Sequence, residues 1–117
     1  MTTLNDVRDA LADIDPNVYY GTAAKLPKGA PWNYIVFSRS TMGRSPGRTG
    51  MADGVEVAIV REEYIPDGLA EAVVEAVEAI PGMRQASGDA RYYYEVRPGT
   101  TTTCEMLLLD FTRARRR

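Results

Sequence analysis

The chain has one cysteine, Cys104, and no histidine. Without histidine, the usual general base and the commonest metal ligand are both missing. Cys104 alternates with Met106 and Leu108 in an apolar run, the setting of a buried small hydrophobe rather than of an activated thiol. Zinc requires a cluster of Cys and His that the sequence does not contain. Glu62 and Glu63 form an adjacent carboxylate pair, but nothing nearby completes an acid–base site, and the pair reads as a solvated turn at a strand end. Gly43, Gly47, Arg48 and Thr49 echo a phosphate-binding loop. That motif needs four residues between its glycines, then lysine, then a helix. Here three intervene, Pro46 stiffens the middle, arginine replaces lysine, and strand-forming sequence follows. No catalytic, cofactor-binding or metal-binding residue is expected.

Aromatic and charged patterns remain. A Tyr92-Tyr93-Tyr94 run on a strand could stack nucleic-acid bases, or could serve sheet packing or an interface, where tyrosine is enriched. Strand alternation separates Tyr93 from Tyr92 and Tyr94, so at least one of the three is expected in the core. Glu71, Glu75 and Glu78 recur at helical spacing with no lysine partners and read as a wet helix face. The chain closes on Arg113, Arg115, Arg116 and Arg117, a solvated tail by default. Two features of opposite sign on one chain also suit a head-to-tail contact between copies. A formal net charge of −2 argues against a dedicated nucleic-acid binder.

The elements that position these residues are legible in outline. Leu4, Val7, Leu11 and Ile14 give one apolar stripe, predicting a helix from about Leu4 to Asp13, with Thr3 at the N-cap and Pro16 as its stop. Val18 to Tyr20 is a short strand candidate, and Lys25 to Pro31 reads as loop. Asn33 to Ser38 and Gly54 to Arg61 are strand material, the second alternating Val55, Val57 and Ile59 with Glu56 and Ala58. Between them Arg39 to Asp53 is rich in Gly and Arg and lacks apolar periodicity. It is too long for a hairpin connector and reads as a functional arm. Gly68 to Ile80 is the clearest helix, expected to be capped by Asp67 and ended by Pro81-Gly82, with Leu69, Val73, Ala76, Val77 and Ile80 inward. Arg91 to Arg97 and Thr101 to Thr112 are the last strands, joined by Pro98-Gly99.

The resulting order, α-β-β-β-α-β-β, predicts a two-layer α+β fold: a largely antiparallel sheet, two helices on one face, and a long hairpin arm. With 117 residues, 44% apolar and 26% charged, this is one domain at residues 1–117. One cysteine makes no internal disulfide, and neither a signal-peptide pattern nor a long apolar run is present, so synthesis in a cytosol, including that of an infected bacterium, is the expectation.

The segments NDVRDALADIDPNVYYG, PWNYIVFSR, VEVAIVREEYIPDGL and IPGMR, and the closing strand into FTRARRR, lie in order along nearly the whole chain. Together they resemble the small tail-terminator, or tail-completion, proteins of long-tailed bacteriophages. That resemblance implies an α+β fold, a hexameric ring capping the tail tube at the neck of the virion, and no catalysis or cofactor. It implies a hairpin loop that orders on assembly, which would be residues 39–53. Partners would be further copies of the chain, the tail tube protein and a head-proximal connector or stopper, with phage DNA passing through the ring and no membrane involved. Contacts with other subunits or the tube are expected from Arg39, Met42, Arg44, Arg48, Met51, Glu71, Glu75, Glu78, Tyr93, Arg115, Arg116 and Arg117. A connector or stopper ring, or a small nucleic-acid-binding module using the arginines, are the alternatives.

Overall fold

The computed structural model describes residues 3–23, 26–44, 50–86 and 90–116, with side chains described outside 41–52 and 114–116. Eight elements follow one another: α1 (Thr3–Ala12), β1 (Val18–Tyr20), β2 (Tyr34–Arg44), β3 (Gly50–Glu62), α2 (Leu69–Glu78), β4 (Met83–Gln85), β5 (Arg91–Val96) and β6 (Thr103–Arg116). The expected α+β class, with its mostly antiparallel sheet, is what forms. The sheet runs β1-β2-β3-β6-β4, with β5 also on β6. β1 joins β2 in parallel, and every other pairing is antiparallel. β4 is an addition to the expected order. Its three residues are too few to show a period.

One face of the sheet holds Ile35 and Phe37 of β2, Val55, Val57 and Ile59 of β3, and Leu107, Leu109 and Phe111 of β6. Val7 and Leu11 of α1 and Val73 and Val77 of α2 close over them in a single cluster. Burial of these apolar faces is the main stabilising term, at roughly 25 cal/mol per Å² of apolar surface removed from water. A polar tie joins the two layers at each side. Asp15, 5% exposed, accepts from Arg61 through Oδ2 and from the Asn17 amide through Oδ1, while Arg61 also donates to the carbonyls of Tyr34 and Val60. Arg113 donates to Asp6 at 2.8 Å, to Thr3 Oγ1 at 3.3 Å and to the Pro81 carbonyl at 3.0 Å, tying β6 to α1 and to the turn after α2.

Two boundaries differ from expectation, each for a physical reason. Asp67 does not cap α2. The N-cap is Gly68, at φ 89°, with no side-chain bond, and the Gly68 carbonyl takes the Ala72 amide at 3.0 Å. Glycine is what this left-handed entrance favours. The described parts of the arm and of the arginine tail are strand. β2 continues to Arg44, β3 begins at Gly50, and β6 continues to Arg116, so the three pair as one ladder: Arg44 with Met51, and Met51 with Arg115. Backbone hydrogen bonds, which carry no sequence period, make strand out of Gly- and Arg-rich sequence there. A register shift between Arg39 and Met42, where β2 has one residue more than β3, marks where this end leaves the core sheet.

Strand length sets what is left uncovered. β6 has 14 residues, spanning roughly 48 Å at the rise of an antiparallel strand, in line with the longest molecular dimension of 50 Å. Each helix has 10 residues, or about 15 Å of length. The helical layer therefore covers only part of the sheet.

Candidate interaction surfaces

β5 is the clearest surplus surface. It pairs with β6 on one side only, in register from Arg91 opposite Leu108 to Val96 opposite Thr103, and all six of its residues are exposed. Tyr92 is 54%, Tyr93 45%, Tyr94 63% and Val96 53% exposed. The expectation that one tyrosine of the run would be core is wrong. Alternation does send Tyr93 to the face opposite Tyr92 and Tyr94, but among the described residues neither face of β5 is covered. An edge strand with exposed aromatics is a surface that proteins usually blunt or use. Tyr94 is oriented by its hydroxyl, which donates to Glu105 Oε2 at 2.8 Å, while Glu105 Oε1 accepts the Ile65 amide at 2.8 Å. That hydrogen bond, followed by a small burial contribution and the Glu105 charge, raises the Tyr94 phenol above its ordinary value.

Where β5 and α2 diverge, a groove of about 690 Å³ opens. Ala70 and Val74 of α2, Ala90, Leu107 and Leu109 give it apolar walls and floor, and Tyr92 closes one side. Glu71, Glu75 and Glu78 form its rim, so the structure brings together the three glutamates that the sequence singled out. Glu78 Oε2 accepts the Gln85 amide at 2.9 Å, fastening α2 to β4. Glu71 and Glu75 are exposed and make no ion pair among the described residues. Like charges three and four apart on a helix destabilise it by about 0.2–0.5 kcal/mol per pair. Acid in the last turn also opposes the helix dipole. Glu71, in the first turn, complements that dipole and Glu78 holds β4, but Glu75 does nothing for α2 by charge. Sequence reasoning missed Ala70 and Val74, half-buried here, whose apolar i, i+4 spacing beside the inward stripe was the available signal.

The sheet face away from the helices is a second apolar surface. Cross-strand rows place Tyr34 beside Val60 and Met106 with Tyr93, and Val36 beside Ala58 and Leu108. All but Val60 are half-buried or exposed. Tyr34 is flanked edge-on by Tyr19 and Trp32, with ring centroids 6.3 and 6.5 Å away. Cys104 lies at one end of this face, fully buried. Burial, then the Glu62 charge, pushes its thiol up, with Arg97 opposing, so the thiolate that a nucleophile needs is disfavoured. Glu62 is an ion-pair partner of Arg97 at 3.4 Å, and Glu63 turns the chain at φ 69°.

The third surface is the far end of β2, β3 and β6. Arg39 is exposed, and Arg113 is committed to Asp6. Met42, Arg44, Met51, Arg115 and Arg116 lie on paired backbone but outside the described side chains, and Arg48 and Arg117 lie outside the described residues. Among the described residues, no three Cys, Asp or Glu side chains converge as a metal site would require, and no helix is long and apolar enough to cross a membrane. No protein-family model matches the chain, and no curated protein matches it.

Proposed function

We propose that this chain is a structural subunit that assembles head to tail into a ring, acting as a tail terminator at the head-proximal end of a long-tailed phage's tail. The observation that carries the reading is β5, an edge strand with four exposed large apolar side chains beside an acidic-rimmed groove. The resemblance of the sequence to tail-terminator proteins supports it independently.

The physical task of such a subunit is to end a polymer. A tail tube grows by a heterologous contact in which every added ring exposes again the face that accepted it, and such a contact has no intrinsic end. A cap must match the growing face without presenting it again. In this reading the apolar sheet face around Tyr34, Val60 and Met106 meets the tube, the groove and hairpin end join copies around the ring, and the helical layer faces outward. No catalytic residue or cofactor takes part.

Electron microscopy of particles made without the protein tests the function. Filled heads free of tails, together with tails of abnormal and variable length, are expected, and purified protein added to tubes still at normal length should restore joining. Tails of uniform normal length that fail to attach would assign the chain to a connector or stopper ring instead. Headed particles with normal tails would overturn both.

A further inference from the structure

We propose that the groove between α2 and β5 is the acceptor for the arginine-rich hairpin end of a second copy of the chain. The inference rests on the ring-forming reading and names the contact that would close the ring.

The chemistry of the groove specifies its occupant. An apolar floor beneath free carboxylates suits a side chain with an aliphatic stem and a cationic head, which lays the stem on Val74 and Leu109 and presents the charge to Glu71 and Glu75. It repels phosphate, so nucleic acid is a poor fit despite the neighbouring tyrosines. The matching composition is within the chain. Residues 39–53 and 113–117 carry Arg39, Arg44, Arg48, Arg113, Arg115, Arg116 and Arg117, half of the 14 basic residues, against one acid, Asp53. Met42 and Met51, adaptable apolar side chains by type, lie in the same stretch.

The described strand ends lie away from their own chain's groove. Leu109 on the groove floor and Arg116 are seven residues apart on one continuous strand, roughly 24 Å at the antiparallel rise. Arg44 and Gly50, the last described residues on either side of the hairpin tip, are held in line with that strand by the β2–β3 and β3–β6 ladders. Donor and acceptor are thus different surfaces at separate places on one sheet, the condition for a heterologous contact, which forms a ring where its rotation closes.

Light scattering on purified full-length protein tests the assignment through charge exchange. The native protein should show a mass several times the 12.9 kDa of one chain. Glu71→Lys/Glu75→Lys and Arg44→Glu/Arg48→Glu should each fall to the single-chain mass, since each sets like charge against like. Mixed in equal amounts they should assemble again, because both alternating contacts are then complementary. The isosteric Glu71→Gln/Glu75→Gln, which leaves α2 intact, should weaken association by at least about tenfold. Reversed variants that keep the native mass, a mixture that stays dissociated, or an unchanged affinity in the glutamine variant would overturn the groove assignment while leaving the ring itself standing. A native protein that is monomeric at every concentration and salt would defeat the ring reading instead.

Discussion

Removing the carboxylate of Asp15 should cost about 3 kcal/mol of folding stability, through two losses visible in the structure. The Asn17 amide loses its acceptor at 2.8 Å, worth about 1 kcal/mol for an ordinary hydrogen bond. Arg61, whose side chain is 14% exposed, keeps its bonds to the Tyr34 and Val60 carbonyls but loses its counter-charge. Breaking a buried ion pair from one side costs about 3–5 kcal/mol, and the residual exposure and the two carbonyls place this one nearer 2. For a domain of this size the sum corresponds to a fall in Tm of roughly 12 °C. Thermal and urea melts of Asp15→Ala, Arg61→Met and the double variant, at one protein concentration so that assembly does not distort the comparison, give the coupling. Each single variant leaves one charge stranded and the double variant strands none, so the double should cost no more than the worse single. That is a coupling of about 2 kcal/mol or more. A coupling under about 0.5 kcal/mol would refute the claim that this pair joins the turn after α1 to β3.

Adjacent valines of α2 should separate folding from assembly. Val73→Asp buries an unpaired carboxylate in the core and should abolish cooperative unfolding, whereas Val74→Asp, on the groove wall, should cost about 1 kcal/mol and lower the mass seen by light scattering. Equal melting losses would mean the helix face is misassigned. Tyr94 should ionise above the ordinary phenol value of 10.0 because its proton is held by Glu105. Because the folded value is the raised one, this stabilisation is complete below the unfolded phenol's range and is lost as pH rises through the folded value. In Glu105→Gln, ultraviolet titration, compared with Tyr94→Phe to isolate the one phenol, should show Tyr94 returning toward its ordinary range, and an unmoved titration would show that the hydrogen bond is not its cause. Short duplex DNA should show no sub-micromolar binding at physiological salt. Affinity of that order that fell with salt and was lost on replacing Arg115, Arg116 and Arg117 by Gln would promote the nucleic-acid reading.

Much of the fold was decided locally and could therefore be read from sequence. Apolar residues at helical spacing specified α1 and α2, and Pro98-Gly99 specified its turn, with the Thr100 amide reaching the Arg97 carbonyl at 3.1 Å and Gly99 at φ 79°. Alternation along Val55, Val57 and Ile59 named the buried side of β3. These patterns record what a residue and its near neighbours need from water. They carry no information about where a layer stops. Only the tertiary structure decided that a helix of about 15 Å would lie on strands of up to about 48 Å, leaving all three tyrosines of β5 exposed and opening a groove beneath the Glu71 and Glu75 rim. It also decided that the described parts of the arginine-rich arm and closing residues would become strand, because ladder hydrogen bonds, some between residues as far apart as Gly50 and Arg116, stabilise backbone whatever its side chains. The Asp15–Arg61 pair, 46 residues apart in sequence, was invisible for the same reason: two charges find each other only after the apolar faces have brought their elements together.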